Sequence, residues 1–341
     1  MDRTQLIETA QAIVADGKGI LAADESTPTI GKRFASIGTE SSEDKRAEYR
    51  GLLFTTEGME EFISGVIMFD ETLRQSTLNE GVPFSKLLTE KGVLPGIKVD
   101  SGAKPLAGHE GEKVTEGLDG LRERLEEYYE LGARFAKWRA VITIGDGIPS
   151  RACLEVNAHA LARYAALCQE AGLVPIVEPE VLMDGNHSLD TCFGETEETL
   201  SIVFHELFKQ GVMLEGMILK PNMVISALDC PEQASVEEVA EATVECFLRV
   251  VPSAVPGICF LSGGQSELAA TQHLNAMNAM NDALPWKLSF SYGRALQAAA
   301  LNAWGGKSEN IPEAQKAFYH RAQCNGAAAL GQYSNEMENQ V

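Results

Sequence analysis

Short apolar runs that alternate with helical patterns constrain the fold of this chain more than any other feature of its sequence. Most of these runs are rich in Val, Ile, Leu or Phe and are bounded by Gly or Pro, which is typical of parallel strands buried on both faces. The segments between them have the composition of helices. The eight predicted strands span residues 19–23, 66–69, 96–99, 135–139, 174–180, 217–220, 257–261 and 288–291.

Three of the intervening segments carry specific helix signals. Apolar residues lie close to helical spacing over 118–131, and Gly132 follows as a stop. A second such pattern covers 200–208. Ser235 and Glu238 have the spacing of a capping box, in which each side chain bonds the backbone of the other. These signals predict long helices between the strands.

Eight strands alternating with helices predict an α/β protein, specifically a (β/α)8 TIM barrel. We expect a single barrel domain over residues 1–333, followed by a short, polar and mobile tail over 334–341. A doubly wound sheet is the competing arrangement. Eight strands of comparable apolar character favour a closed barrel over an open sheet. No Gly-x-Gly-x-x-Gly follows the first strand, which weakens the case for a doubly wound sheet that binds a dinucleotide.

The charge and cysteine content limit the possible partners. The formal net charge of −21 disfavours nucleic acid and anionic membranes as partners, so an anion site must be a local basic pocket. Seven cysteines without a Cys-x-x-Cys pair indicate reduced thiols. The six scattered histidines make a histidine-based metal centre unexpected. Because no apolar stretch is long enough for a membrane span and no signal peptide is evident, we expect a cytoplasmic protein.

Charged residues stand at the ends of the predicted strands, where a buried strand should carry apolar or small residues. Residues two apart share a face of a strand, so Lys98 and Asp100 point the same way, as do Lys137 and Arg139, and Glu178 and Glu180. If that face is the barrel interior, they converge at the C-terminal mouth, where barrel enzymes place their chemistry. Solvated loops or structural ion pairs are the alternative explanation for any single charge, but five charged strand ends are hard to ascribe to coincidence. The residues are Asp24 and Glu25, Lys98 and Asp100, Lys137 and Arg139, Glu178 and Glu180, and Lys220.

This combination of amines and carboxylates suits Schiff-base chemistry on a ketone. A lysine nucleophile must be neutral, and its ordinary pKa of about 10.4 requires cationic neighbours or desolvation to lower it. Glu178 or Glu180 can shuttle the proton that dehydration of a carbinolamine requires. Asp24 is a candidate base for a hydroxyl next to the cleaved carbon–carbon bond. Spacing alone does not decide which lysine is the nucleophile.

Two glycine-containing segments after the last two strands predict phosphate sites. Ser262, Gly263 and Gly264 lead from a strand into a helix that begins near Glu267, so backbone N–H groups can approach an anion there. The loops after strands seven and eight are the usual phosphate site of this barrel. A simple turn is the alternative for either segment alone. The second segment contains Ser291, Gly293 and Arg294, and a second anion can be held by Ser26, Lys32, Arg33, Lys98 and Arg139.

Seven of these motifs, taken in order, closely resemble class I fructose-bisphosphate aldolases. The match runs from about Gly17 to about Tyr333 and covers nearly the whole chain, which makes it far more specific than any single motif. The motifs are GILAADEST at 19–27, GIKVD at 96–100, FAKWR at 135–139, VEPE at 177–180, LKPNM at 219–223, FLSGGQS at 260–266 and FSYGR at 290–294.

The resemblance implies a role for each matching residue. Lys220 would form the imine, Glu178 would dehydrate the carbinolamine, and Asp24 would act on the hydroxyl next to the cleaved bond. Lys137 would assist Asp24, and Glu180 would order the lysine network. The phosphate nearer the ketone would be held by Ser262, Gly263, Gly264, Ser291, Gly293 and Arg294, and the other by Ser26, Arg33, Lys98 and Arg139.

The family implied by this resemblance cleaves fructose 1,6-bisphosphate reversibly to dihydroxyacetone phosphate and glyceraldehyde 3-phosphate, needs no metal or other cofactor, and is usually a homotetramer. One departure concerns the C-terminus, because animal members end in a tyrosine that assists proton exchange, whereas Val341 ends this sequence. Tyr333 matches an internal tyrosine of the family, so that role is not transferred to it. We therefore expect another group to move that proton, or slower transfer.

Three other functions remain as alternatives. A related Schiff-base aldolase acting on sedoheptulose 1,7-bisphosphate would keep Lys220, and a substrate panel separates the two. A binding or scaffolding protein on an old enzyme fold should have lost Lys220, Glu178 or Asp24, yet all three are present. A metal-dependent class II aldolase would need histidine ligands and would be sensitive to chelators.

Overall fold

A closed barrel of parallel strands forms the centre of the molecule in a computed structural model that describes residues 2–280 and 283–339. Among these residues, eight strands pair in the order β1-β10-β9-β8-β7-β6-β3-β2 and close on themselves, while β4 and β5 form a separate antiparallel hairpin. The strands are β1 Gly19–Ala23, β2 Ile63–Met68, β3 Leu94–Lys98, β4 Ala103–Pro105, β5 Lys113–Thr115, β6 Phe135–Ile142, β7 Val174–Val181, β8 Ile218–Leu219, β9 Gly257–Phe260 and β10 Lys287–Tyr292.

Helices surround the barrel and cover its amino-terminal end. The capping box of Ser235 and Glu238 is present as predicted, and Ser266 caps the helix that follows the seventh barrel strand. The helices are α1 Arg3–Ile13, α2 Thr27–Ser36, α3 Glu43–Phe54, α4 Asp70–Arg74, α5 Phe84–Glu90, α6 Leu121–Glu130, α7 Arg151–Glu170, α8 Leu189–Lys209, α9 Val236–Val250, α10 Glu267–Ala279, α11 Arg294–Trp304 and α12 Ile311–Ala328.

The barrel interior changes from apolar at its amino end to charged at its carboxyl end. Along β7, Ile176 belongs to the inner apolar cluster, and Glu178 and Glu180 follow it at a spacing of two. Phe135 belongs to the same cluster, and Lys137 follows it on β6. Helix α1 closes the amino end by packing its apolar residues into this cluster. The charged side chains of the barrel interior therefore lie toward its opposite, carboxyl end.

The predicted (β/α)8 barrel is confirmed, and each predicted apolar run overlaps a barrel strand. The largest difference lies at the second strand, which is predicted over 66–69 and spans Ile63–Met68. Within the predicted run 217–220, only Ile218–Leu219 pair as a strand. Strand β6 extends to Ile142, beyond its predicted end at Arg139. The hairpin of β4 and β5 carries no apolar run long enough to have been recognised.

The segment after Tyr333 forms a short 3-10 helix, Asn335–Asn339, in its described part. Glu338 accepts a hydrogen bond from the Tyr333 hydroxyl at 2.7 Å and forms an ion pair with Arg321 of α12. These contacts hold Glu338 against the barrel domain. The domain boundary at residue 333 and the mobility of the tail stay predictions.

A glycine in β3 makes room for the largest side chain of the inner cluster, which gives a direct test of the packing. A Cβ atom added at Gly96 would lie 2.2 Å from the Phe135 ring. We expect Gly96→Ala to reduce the free energy of unfolding by about 1–3 kcal/mol through overpacking, measured by urea denaturation. Gly194→Ala is the matched control, because Gly194 is exposed in α8 with open space around it. The control should be neutral or stabilising by up to about 1 kcal/mol. An unchanged urea midpoint for Gly96→Ala would contradict the close packing of Phe135 against Gly96.

Candidate active site

The charged strand ends meet in one cavity of about 690 Å³ at the carboxyl end of the barrel. Fourteen of the fifteen predicted site residues line it, and Gly264 is the exception. The predicted residues in the lining are Asp24, Ser26, Arg33, Lys98, Lys137, Arg139, Glu178, Glu180, Lys220, Ser262, Gly263, Ser291, Gly293 and Arg294.

Two lysines and two carboxylates form a continuous run at the base of the cavity. The Lys220 amine lies 3.2 Å from Glu178 Oε1, and the Lys137 amine lies 3.3 Å from Glu178 Oε2. Lys137 also lies 2.7 Å from Asp24 Oδ2, so it bridges the two carboxylates. The side chains of Lys220, Glu178 and Lys137 are at most 5% exposed. Such charges are costly to bury unless they are paired, as they are here.

The neighbouring charges control the protonation of Asp24 and Lys137. Burial raises the pKa of Asp24, but the ammonium groups of Lys137 and Lys220 outweigh it and hold that pKa well below its ordinary value. Burial lowers the pKa of Lys137, but the carboxylates of Asp24 and Glu178 outweigh it and raise that pKa above its ordinary value. Asp24 is thus a carboxylate and Lys137 an ammonium at neutral pH, and the 2.7 Å contact between them fixes the orientation of the carboxylate.

Two further cations at the rim are each paired with a carboxylate. Arg139 pairs with Glu180, and Lys98 lies 2.9 Å from Asp100. Burial raises the pKa of Glu180, and the Arg139 guanidinium only partly offsets this. The other oxygen of Asp100 accepts the backbone N–H of Arg139 at 3.3 Å. The two pairs are therefore joined, and Arg139 and Lys98 are held where an anion at the rim can reach them.

A buried network that the sequence analysis did not assign supports Arg33. Glu25 binds Arg33 through one carboxylate oxygen and the buried Arg50 of α3 through the other. Gln297 of α11 donates to Glu25 at 3.0 Å and to the carbonyl of Ala22 at 2.7 Å. Arg50 and Gln297 lie on helices far along the chain from Glu25, and no motif marks them. Only the polar residues at buried helix positions hint at such a network.

The two glycine-containing loops after β9 and β10 face each other across the cavity. Arg294, the first residue of α11, donates to the carbonyl of Gly263 at 3.1 Å and so joins the loops. Gly263 has a φ of +57°, which favours glycine. The buried Ser291 hydroxyl finds no hydrogen-bond partner in the described part of the chain and is free for a ligand. Gly264 lies outside the lining, because its amide donates to the Met183 sulfur at 2.7 Å.

The site is basic although the chain as a whole is acidic. Seven lysine and arginine side chains line the cavity, against five carboxylates, while the formal net charge of the chain is −21. Such a local excess attracts an anionic substrate into the mouth. The fold and the cavity together define an α/β-barrel enzyme that binds an anionic substrate beside a buried amine.

The only cluster with the spacing of metal ligands in residues 2–280 and 283–339 lies outside this cavity. It consists of His320 and Cys324 on α12 and Glu338 in the tail. Glu338 is already engaged by Arg321 and Tyr333, which leaves this cluster a structural contact. The cavity lining contains no histidine or cysteine in that part of the chain. No described helix is both long and apolar enough to cross a membrane.

Comparisons with known proteins agree with this geometry. A family model described as fructose-bisphosphate aldolase class-I matches residues 5–341. A probable fructose-bisphosphate aldolase class 1 of Xanthomonas axonopodis pv. citri (strain 306) is 61% identical over 98% of this chain and 99% of its own length. A fructose-bisphosphate aldolase of Dictyostelium discoideum is 53% identical over 97% of this chain and 93% of its own.

A solved structure extends the likeness to three dimensions. The fructose-bisphosphate aldolase of Plasmodium falciparum, solved with TRAP and a small-molecule inhibitor, superposes with a TM-score of 0.96. It is 50% identical, and the match covers 97% of this chain and 96% of that one. The chain belongs to the class I fructose-bisphosphate aldolases, a family of carbon–carbon lyases.

The lowered pKa of Asp24 predicts how its contribution to stability depends on pH. A carboxylate with a depressed pKa stabilises the fold above the unfolded pKa of about 3.9, and this contribution is lost as the pH falls. We expect wild type to be more stable than Asp24→Asn at pH 7, and this difference in unfolding free energy to shrink by about 1 kcal/mol at pH 3. Urea denaturation at both pH values measures it, with exposed Asp184→Asn as the control. An equal difference at both pH values would contradict the ion-pair assignment.

Proposed function

We propose that this chain cleaves fructose 1,6-bisphosphate reversibly to dihydroxyacetone phosphate and glyceraldehyde 3-phosphate through an imine on Lys220. The observation that carries the proposal is the buried run of Lys220, Glu178, Lys137 and Asp24. This run sets an amine, a proton shuttle and a carboxylate base side by side at the base of a basic cavity. Each of the three is required in turn by Schiff-base cleavage of a ketose.

Binding begins with the two phosphates at opposite sides of the mouth. The loops that contain Ser262, Gly263 and Ser291 receive the phosphate nearer the ketone, with Gly293 and Arg294 at the start of α11. The other phosphate lies among Ser26, Arg33, Lys98 and Arg139. This placement brings the ketone carbon toward Lys220. Gly264 contributes to the shape of its loop, because its amide is directed to Met183.

Imine formation uses Lys220 and Glu178. Lys220 first passes a proton to Glu178 Oε1, 3.2 Å away, and the resulting neutral amine attacks the ketone carbon. A proton moves from the attached nitrogen to the new alkoxide to give the carbinolamine. Glu178 then returns its proton to the carbinolamine hydroxyl, which leaves as water and gives the protonated imine. Glu178 Oε2 accepts no hydrogen bond from the described residues, although Lys137 lies 3.3 Å away. That oxygen is available to the reacting hydroxyl.

Cleavage uses Asp24 as the base. Asp24 takes the proton from the hydroxyl next to the breaking bond, and the bond electrons move to the imine nitrogen to form an enamine and release the aldehyde. Lys137 orients Asp24 through the 2.7 Å contact. Glu180 forms an ion pair with Arg139 and so orients the guanidinium next to the Lys220, Glu178, Lys137 and Asp24 run. We assign the return of a proton to the enamine carbon to Glu178, the acid next to Lys220.

The reaction requires no metal in this proposal. Asp24 and Glu178 are occupied by lysines, and Glu180, Asp100 and Glu25 by other cations, which leaves the carboxylates engaged in ion pairs. We also propose a glycolytic or gluconeogenic role in the cytoplasm, supported by the family and by seven free thiols in the described residues.

A homotetramer is part of the proposal. Large apolar side chains on the outer helices support association, because Phe208 of α8 is 83% exposed and Leu248 of α9 is 54% exposed. Sedimentation of the purified protein measures the subunit number.

Trapping tests the central step of the mechanism. The protein is incubated with dihydroxyacetone phosphate, reduced with borohydride and mapped by peptide mass spectrometry, with and without a chelator. We expect an adduct on Lys220 that forms equally in both arms. Lys220→Ala should lose the adduct and the cleavage activity, whereas Lys32→Ala, which changes another lysine of the cavity lining, should keep the adduct on Lys220. Loss of activity to the chelator without an adduct would overturn the proposal.

Removing Arg294 tests the phosphate site nearer the ketone. We expect Arg294→Ala to raise KM for fructose 1,6-bisphosphate roughly ten- to a hundred-fold, because a hydrogen bond to a charged group is lost. Arg294→Lys should recover part of the affinity through its charge. Arg249→Ala, on the outer face of α9, is the control for removal of a guanidinium. An unchanged KM for Arg294→Ala would remove this residue from the phosphate site.

A further inference from the structure

The backbone amide of Gly264 is bonded to a methionine side chain that nothing in the proposed mechanism uses. Met183 follows β7, and its sulfur accepts the Gly264 N–H at 2.7 Å. A thioether is a weak acceptor, and the amides of glycine-rich loops are commonly left for anions. Because of this contact, the Gly264 N–H of the proposed phosphate loop is bonded to a side chain of the protein and not left for a ligand.

This contact is one of three that define the shape of the loop. Gln265 donates its backbone N–H to the Ser262 carbonyl at 3.0 Å and closes a turn. Arg294 donates to the Gly263 carbonyl at 3.1 Å. Gly264 is bonded to Met183 and does not line the cavity, whereas Ser262 and Gly263 do.

Met183 is itself held in place by backbone contacts. Its carbonyl accepts the N–H of Leu228 at 2.9 Å. Two residues later, the Gly185 carbonyl accepts the N–H of Asp229, also at 2.9 Å. A Cβ atom added at Gly264 would lie 3.1 Å from both the Met183 sulfur and the Leu228 side chain. The backbone of Met183 is thus held by hydrogen bonds, and its thioether packs against Gly264.

We propose that Met183 is a positioning residue for the phosphate nearer the ketone. Its sulfur fixes the back of the loop so that Ser262 and Gly263 face the cavity. Because Met183 follows the strand that carries Glu178 and Glu180, the same contact sets the phosphate loop relative to the proton-transfer groups. Removal of the acceptor should therefore weaken the binding of phosphorylated ketones and leave unphosphorylated ketones unaffected. This inference rests on the proposed function.

The test compares two ketones in the trapping assay at a series of concentrations, dihydroxyacetone phosphate and dihydroxyacetone. Met183→Leu keeps the size of the side chain and removes the acceptor. We expect the half-saturating concentration of dihydroxyacetone phosphate to rise about two- to ten-fold, the effect of losing one uncharged hydrogen bond, with an unchanged value for dihydroxyacetone and an unchanged kcat for cleavage. Met183→Gln, which offers a carbonyl oxygen at similar length, should restore the preference for the phosphorylated ketone.

Leu228→Ala is the matched control, because it trims the other side chain against Gly264 and leaves the sulfur in place. It should keep the preference for the phosphorylated ketone. An unchanged preference in Met183→Leu, an equal loss for both ketones, or tighter binding of dihydroxyacetone phosphate would each overturn the inference. Tighter binding would mean that the sulfur competes with phosphate for the amide. Failure of wild type to form an adduct on Lys220 with either ketone would instead overturn the proposed function on which the inference rests.

Discussion

The ammonium group of Lys137, shared between Asp24 and Glu178, is the interaction on which the rest of the site depends. Without a cation between them, two carboxylates in this largely buried position would repel, and one would take up a proton. The lysine between them allows both to stay in place, and Glu178 in turn reaches Lys220. The parallel register of the barrel holds these groups at one level, since Lys98 pairs with Lys137 and Arg139 with Glu178 on adjacent strands.

Sequence reasoning predicted the barrel and the convergence of charge because both follow from local periodicity. Alternation by two places Ile176 and Glu178 on one face, and eight similar runs suffice to suggest closure. Contacts between distant segments have no such periodicity. Arg50 and Gln297 reach Glu25 from separate helices, and Met183 reaches Gly264 from another loop. A methionine after a strand gives no indication that its sulfur will meet an amide about eighty residues later.

The site allows a protein with a formal net charge of −21 to bind an anionic substrate, because its cations are concentrated in the cavity. The cations of the mouth are clustered and are partly neutralised by carboxylates, which limits their mutual repulsion before a ligand arrives. Arg294 illustrates the principle, because it already donates to the Gly263 carbonyl and needs to exchange only a neutral acceptor for a charged one. The site is thus largely organised in advance, which reduces the entropic cost of binding.

Because α1 packs into the amino end of the barrel, the cavity around Lys220 opens at the carboxyl end. With the chemistry proposed here, both fragments of the sugar must use that opening, and one of them is covalently attached at its base. The free aldehyde must then depart first, past the rim of arginines and lysines, while the ketone fragment stays tethered to Lys220. The covalent link at the base of the barrel, in this proposal, thereby imposes an order on the release of products.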